Sequence, residues 1–192
     1  MPTAKLISIT PDYMQLLKRA AGQCYQTEAN DKVIQHIIEA GHLSVLEHCS
    51  ASFEVTCSIS VLLQLTRHRH LSFTVQSSRG SELNNFYVTG KNAIDVSIVR
   101  RMESYHDACM KTSCEDAAYL LPKAAEYKLV VTGNFRAWFE YLPKRLCKRA
   151  QIEHRDLATF IHLELAENAP EIFSRNMKGC EKCTESRCEF KA

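Results

Sequence analysis

Residues 67–79 read Arg67-His68-Arg69-His70-Leu71-Ser72-Phe73-Thr74-Val75-Gln76-Ser77-Ser78-Arg79. The stretch concentrates three guanidinium groups, two imidazoles and several hydroxyls. Arginine forks suit phosphate and carbonyl oxygens, because two parallel N–H donors meet two acceptors. Such a cluster needs something negative, or water, around it. An Arg-His-Arg triplet on its own has an ordinary explanation: cations at a helix end complement the helix dipole and sit in solvent. Upstream, Ile59 to Thr66 reads as a helix that delivers the chain into Arg67. Before it, Ala51, Phe53, Val55 and Cys57 alternate with Ser50, Ser52, Glu54 and Thr56. That period of two marks a half-buried strand.

Further out, Val33, Ile34, Ile37 and Ile38 recur at helical spacing over about 31–40, with Asn30 or Asp31 as cap and Gly41 as stop. Residues 93–121 read as largely helical, interrupted at Thr112-Ser113, where Ser113 caps a new turn, and Pro122 ends the region. Tyr127 to Thr132 is a β-rich run. Gly133-Asn134 breaks into a helix over about 135–146, which Pro143 is expected to kink or divide. A last helix covers about 149–167, with Leu157, Phe160, Ile161 and Leu165 on one face. From Asn168 onward the chain is polar and cysteine-bearing. With no repeat, low-complexity tract or linker, the expectation is one α+β domain over 1–192, with 168–192 as its tail.

A length of 192 residues suits one domain able to bury a core, and 45% hydrophobic with 24% charged residues is ordinary for a globular protein. The net charge of +2 argues against a dedicated nucleic-acid binder, which carries a stronger basic excess. The start, Met1 to Lys5, lacks a secretory pattern, and no apolar run approaches the roughly 20 residues a membrane span needs; a cytoplasmic location is expected. Nine cysteines cannot all pair within one chain, so most read as free core thiols.

The longer pattern, Arg-His-Arg, seven residues, Ser, one residue, Arg, resembles the signature of the flavin-dependent thymidylate synthases. The resemblance covers most of the chain. Gly41-His42-Leu43-Ser44-Val45-Leu46-Glu47-His48 is similar to that family's Gly-His-x-Ser-x-x-Glu-His element, and Gln64 stands three residues before Arg67 as a glutamine does there. Glu115 to Pro122 resembles Glu-x-Ala-Arg-x-x-Leu-Pro. Asn134-Phe135-Arg136-Ala137-Trp138 matches Asn-x-Arg-x-Trp, Arg145 falls at the arginine of a Leu-Arg pair, and Arg149-Ala150-Gln151-Ile152-Glu153 resembles Arg-Ala-Gln-Trp-Glu.

The resemblance implies an α+β fold with a twisted, mainly antiparallel sheet flanked by helices. It implies reductive methylation of dUMP to dTMP, with methylene-tetrahydrofolate as carbon donor, NADPH as reductant and FAD carrying hydride. It also implies a homotetramer whose sites form at subunit interfaces. By carry-over His42, Ser44, Arg67, His68, Arg69, Asn134 and Arg136 bind FAD, while Gln64, Ser77, Ser78, Arg79 and Arg145 bind the nucleotide. Arg145 and Ser77 are the candidate catalytic residues, although the Ser77 hydroxyl reads better as a hydrogen-bond partner, since a serine nucleophile needs a poised base. Each residue also has a plain structural reading: Asn134 a helix cap, Arg136 a surface cation, Ser77 a turn residue, His42 a dipole partner. No G-x-G-x-x-G is present, so FAD is not expected in a Rossmann crevice.

The chain departs from the pattern at four places. Ala118 stands where an arginine helps hold the nucleotide, Val75 replaces a polar residue, Gly80 follows Arg79 in place of an aromatic, and Glu140 occupies a position commonly Asn or His. Lys123, Lys144 or Lys148 is the candidate substitute for the missing arginine. No catalytic metal is expected. Cys180-Glu181-Lys182-Cys183, then Cys188, with Cys147, form a candidate structural zinc set against a reading as exposed thiols. His154 and His162 are read as surface or core histidines. Two rival functions stand: a related flavin- and folate-dependent pyrimidine nucleotide hydroxymethylase or methylase, and a nucleic-acid-binding module using Arg67 to His70 with Phe73.

Overall fold

The alternating stretch does form the centre of a sheet. In the computed structural model, which describes residues 1–23, 26–180, 183–186 and 188–189, β2 (Ser50–Ser58) lies between β1 (Thr3–Ile9) and β4 (Glu126–Asn134). The order is β1-β2-β4-β3, with β3 (Leu71–Val75) at the far edge, and every pair is antiparallel. Ala51, Phe53, Val55 and Cys57 all turn inward and are essentially inaccessible. The expected α+β class with a mainly antiparallel sheet is the one observed.

Helices cover the sheet: α1 (Tyr13–Gln23), α2 (Asp31–Glu39), α3 (Ile59–Leu65), α4 (Asn92–Cys109), α5 (Cys114–Ala117), α6 (Phe135–Arg145), α7 (Ile152–Asn168) and α8 (Pro170–Phe173), with short 3-10 turns at Leu43–His48 and Ala118–Leu120. Their starts are chemically marked. Asn30 caps α2, Ser58 caps α3, Ser113 caps α5 and Asn134 caps α6, each side-chain oxygen accepting an amide proton of the first turn. The main core joins both sheet and helices. Trp138 of α6 meets Phe53 edge to face at 5.1 Å and donates its indole N–H to the Ala51 carbonyl at 3.1 Å. A second, smaller cluster of Leu83, Ile98, Met102, Tyr105, Ala117 and Ala125 lies under α4.

Several expectations are corrected. β4 runs on through Gly133 to Asn134, two residues beyond the expected run, because Gly133 is a strand residue: a Cβ there would sit 2.3 Å from a Leu71 methyl and 3.1 Å from the Trp138 indole nitrogen. α6 continues unbroken through Pro143 to Arg145. α7 begins at Ile152, three residues later than expected. The segment after Asn168 is not uniformly polar: Ala169, Ile172, Phe173 and Met177 are buried in the main core. β1 and α1 lie outside the segments assigned from the sequence. No helix among the described residues is long and apolar enough to cross a membrane.

Candidate active site

The end of α3, the turn after it and the end of α6 converge on one polar cluster. α3 ends at Leu65, and the chain then turns tightly, Arg67 N–H bonding the Gln64 carbonyl at 3.3 Å and His68 N–H the Leu65 carbonyl at 3.0 Å. These turns deliver His68 against α6. Arg145, in the last turn of α6, donates from Nε to His68 Nε2 at 2.9 Å and from its terminal nitrogens to the side-chain and main-chain oxygens of Gln64 at 3.5 and 3.4 Å. Gln64 in turn donates to the Ser60 carbonyl at 3.1 Å and contacts the Gln151 amide. Three expected site residues, Gln64, His68 and Arg145, are therefore brought together.

Behind His68 lies an aromatic layer the sequence reading did not assign to the site. Its ring meets Tyr141 edge to face at 4.9 Å, and the Tyr141 hydroxyl bonds His154 Nε2 at 3.2 Å. His154 is fully buried, and its Nδ1 is the one buried side-chain polar atom without a partner among the described residues. Burial first, then the charges of Arg145 and Lys144, lower the His68 pKa to about 4. Burial, Arg145 and His68 lower that of His154 to about 3. Both imidazoles are neutral near pH 7, as desolvation next to a guanidinium requires. His154 was detectable in principle: His154, Leu157, Ala158, Ile161 and Leu165 form one helical stripe, so the histidine belongs to the buried face. His162 instead bonds the Phe173 carbonyl at 2.9 Å.

Two adjoining hollows open on the outer side of this cluster. One, about 230 Å³, is lined by residues 67–71, Ala137, Glu140, Tyr141 and Lys144. The other, about 200 Å³, is lined by Glu47, His70, Asn134, Arg136, Ala137 and Glu140. Arg67, Arg69 and Lys144 have no carboxylate partner among the described residues, and such cations suit an anionic group. Arg136 differs: its Nη1 reaches Glu47 at 2.5 Å and its Nε reaches Glu140 at 2.8 Å. Asn134 is occupied as the α6 cap, accepting from Ala137 N–H at 2.8 Å. His42 and Ser44 are exposed near the 3-10 turn that carries Glu47, and their side chains make no hydrogen bond among the described residues.

The rest of the signature lies elsewhere. β3 separates His68 from Ser77, and at about 3.4 Å per residue its five residues alone hold their ends roughly 14 Å apart. Residues 67–79 therefore do not form one continuous cradle within the chain. Ser77 Oγ accepts from Arg79 N–H at 3.2 Å, with no base in contact among the described residues, and Ser78 is half-buried. Arg79 pairs with Glu115 of α5 at 3.3 Å.

The thiols offer no activated nucleophile in the sheet. Burial pushes Cys49 up to about 11 and Cys57 up to about 12, which disfavours the reactive thiolate. Among the described residues no three His, Cys, Asp or Glu side chains gather to hold a metal, and Glu181 and Lys182 of the candidate Cys180–Cys183 loop lie outside them.

An antiparallel sheet whose helix ends present a neutral imidazole, guanidinium and amide groups beside cations with no carboxylate partner among the described residues is the arrangement on which the comparisons bear. The fold is also that of the crystal structure of Thymidylate Synthase X from Helicobacter pylori with FAD and dUMP: the TM-score is 0.81 at 22% identity, covering 93% of this chain and 99% of that one. The family model described as Thymidylate synthase complementing protein matches residues 5–171. Flavin-dependent thymidylate synthases from Mycobacteroides abscessus and Corynebacterium diphtheriae are 33% and 32% identical, over 82% and 88% of this chain and 77% and 81% of theirs. The chain belongs to the family of flavin-dependent thymidylate synthases.

Proposed function

We propose that the chain converts dUMP to dTMP with FAD, taking the one-carbon unit from methylene-tetrahydrofolate and reducing equivalents from NADPH. The observation that carries this reading is the Arg145–His68–Gln64 contact beside Arg67, Arg69 and Lys144, cations with no carboxylate partner among the described residues. Those cations fit the flavin pyrophosphate, with Asn134, Arg136, His42 and Ser44 at its margin. Bound FAD supplies the redox step. Neutral His68 offers its Nδ1–H as a donor, because Nε2 already accepts from Arg145. Arg145 keeps N–H groups to spare for a pyrimidine carbonyl, and Gln64, whose amide protons go to Ser60 and Gln151, holds that guanidinium beside the nucleotide through its oxygens. Ser77, Ser78 and Arg79 contribute hydroxyl and guanidinium groups to the nucleotide.

Because β3 keeps Ser77 to Arg79 away from Arg145, one complete site takes these residues from a second copy of the chain. The exposed apolar side chains Val96 and Val99 of α4, with Tyr119 and Leu120, provide surface for such an assembly, a homotetramer working in the cytoplasm. Ala118 and Glu140 favour a second reading, in which another pyrimidine nucleotide is the substrate or hydroxymethyl is transferred. Tritium release from position 5 of dUMP and dCMP separates the two bases, and the mass of the product separates methyl from hydroxymethyl. FAD- and folate-dependent release from dUMP is expected, and release from dCMP alone would overturn the first reading.

A further inference from the structure

A cleft of about 510 Å³ opens between the first half of α4 and residues 121–124, over the start of α3. Its walls are mixed in a telling way. Ile94, Ile98, Leu121 and Pro122 make an apolar side, while Ser60, Thr89 and Ser97 add hydroxyls. Arg101 and Lys123 also line it, and neither has a carboxylate partner among the described residues. One acid reaches the cleft, Glu153, and both of its oxygens are taken by Ser58, from N–H at 2.8 Å and from Oγ at 2.7 Å. The cleft is thus a cationic hollow with an apolar wall, the combination that suits a phosphorylated sugar.

Its position matters as much as its lining. Gln151 lines the cleft and touches Gln64, which Arg145 contacts, so one pair of amides separates the cleft from the Arg145–His68 cluster. Ala118, the position whose arginine is missing, lies in the 3-10 turn directly before Leu121, Pro122 and Lys123. Of the three candidate lysines, Lys144 instead borders His68, and Lys148 offers its carbonyl to Arg155 at 3.1 Å. We propose that Arg101 and Lys123 seat the nucleotide 5′-phosphate in this cleft, taking over from the arginine absent at 118. This rests on the reading of the substrate as a pyrimidine nucleotide. A guanidinium fork and a point-charge ammonium bind a phosphate from two sides, and Ile94 and Ile98 cover the deoxyribose.

Calorimetric titration of the FAD-loaded chain with dUMP and with deoxyuridine tests it. R101Q and K123Q should each weaken dUMP binding roughly ten- to a hundred-fold, the loss expected for one charge-assisted contact. Deoxyuridine, which lacks the phosphate, should bind all variants alike. R100Q, which removes an exposed neighbouring charge on α4, should leave dUMP affinity unchanged. Unaltered dUMP affinity in R101Q and K123Q would overturn the seat, as would an equal loss for deoxyuridine. A wild-type chain that binds no dUMP at all would instead overturn the substrate reading, and the seat with it.

Discussion

Arg145 donates its Nε–H to His68 Nε2 at 2.9 Å, and a guanidinium has no lone pair to return, so that imidazole nitrogen is unprotonated and the neutral ring keeps its proton on Nδ1. Burial and the charges of Arg145 and Lys144 hold His68 near 4. R145Q removes one of those causes. The His68 titration, followed by imidazole NMR signals, should move up toward the ordinary 6.5, with a smaller rise in K144Q. A His68 that titrates unchanged in R145Q would show that the guanidinium does not govern the ring.

His68 and His154 also set a pH dependence of stability. Both folded pKa values, about 4 and about 3, lie below the ordinary 6.5. The unfolded chain therefore binds protons first as pH falls, and stability present above 6.5 is lost progressively toward 4 for His68 and toward 3 for His154. Each group can steepen the dependence by at most about 1.4 kcal/mol per pH unit. H154Q should reduce the difference in Tm between pH 7.5 and pH 5. An acid limb of the same steepness in H154Q would assign the effect to other groups.

Glu153 is a buried carboxylate whose two oxygens accept from Ser58, the residue that joins β2 to α3 and caps that helix. E153A leaves both Ser58 donors unpaired and should cost about 2–6 kcal/mol, at 1–3 for each buried group left unsatisfied. E153Q retains one acceptor and should cost less. Urea denaturation midpoints measure both, and a loss below about 1 kcal/mol in E153A would mean that water replaces the carboxylate.

Arg136 is held by Glu47 and Glu140, so its charge is already compensated where the flavin phosphates are proposed to bind. E140Q should strengthen FAD binding, measured by quenching of flavin fluorescence, with a larger gain at low salt. Weaker FAD binding in E140Q would identify the Glu140 carboxylate as a ligand in its own right, for instance to a ribose hydroxyl.

Much of this was legible in the order of residues. The alternation from Ser50 to Cys57 marks β2 because one face meets the core, and Asn30, Ser113 and Gly41 mark helix boundaries through local hydrogen bonds and backbone freedom. Gly133 misled, since a glycine needed for close approach of Leu71 and Trp138 looks in sequence like one needed for a turn. At the site, Gln64, His68 and Arg145 were nameable from the resemblance, but their mutual contact depends on the end of α3 and the turn after it meeting α6 at sequence separations of 77 and 81. Tyr141 and Arg101 carried no local signal; only packing puts one behind His68 and the other on a cleft.

Reductive methylation shows in its product. The chain incubated with dUMP, methylene-tetrahydrofolate, NADPH and FAD, with nucleotides then resolved by mass spectrometry, should yield dTMP in step with NADPH oxidised, and none when FAD is withheld. Hydroxymethyl-dUMP as the sole product, or dTMP formed equally without FAD, would contradict it.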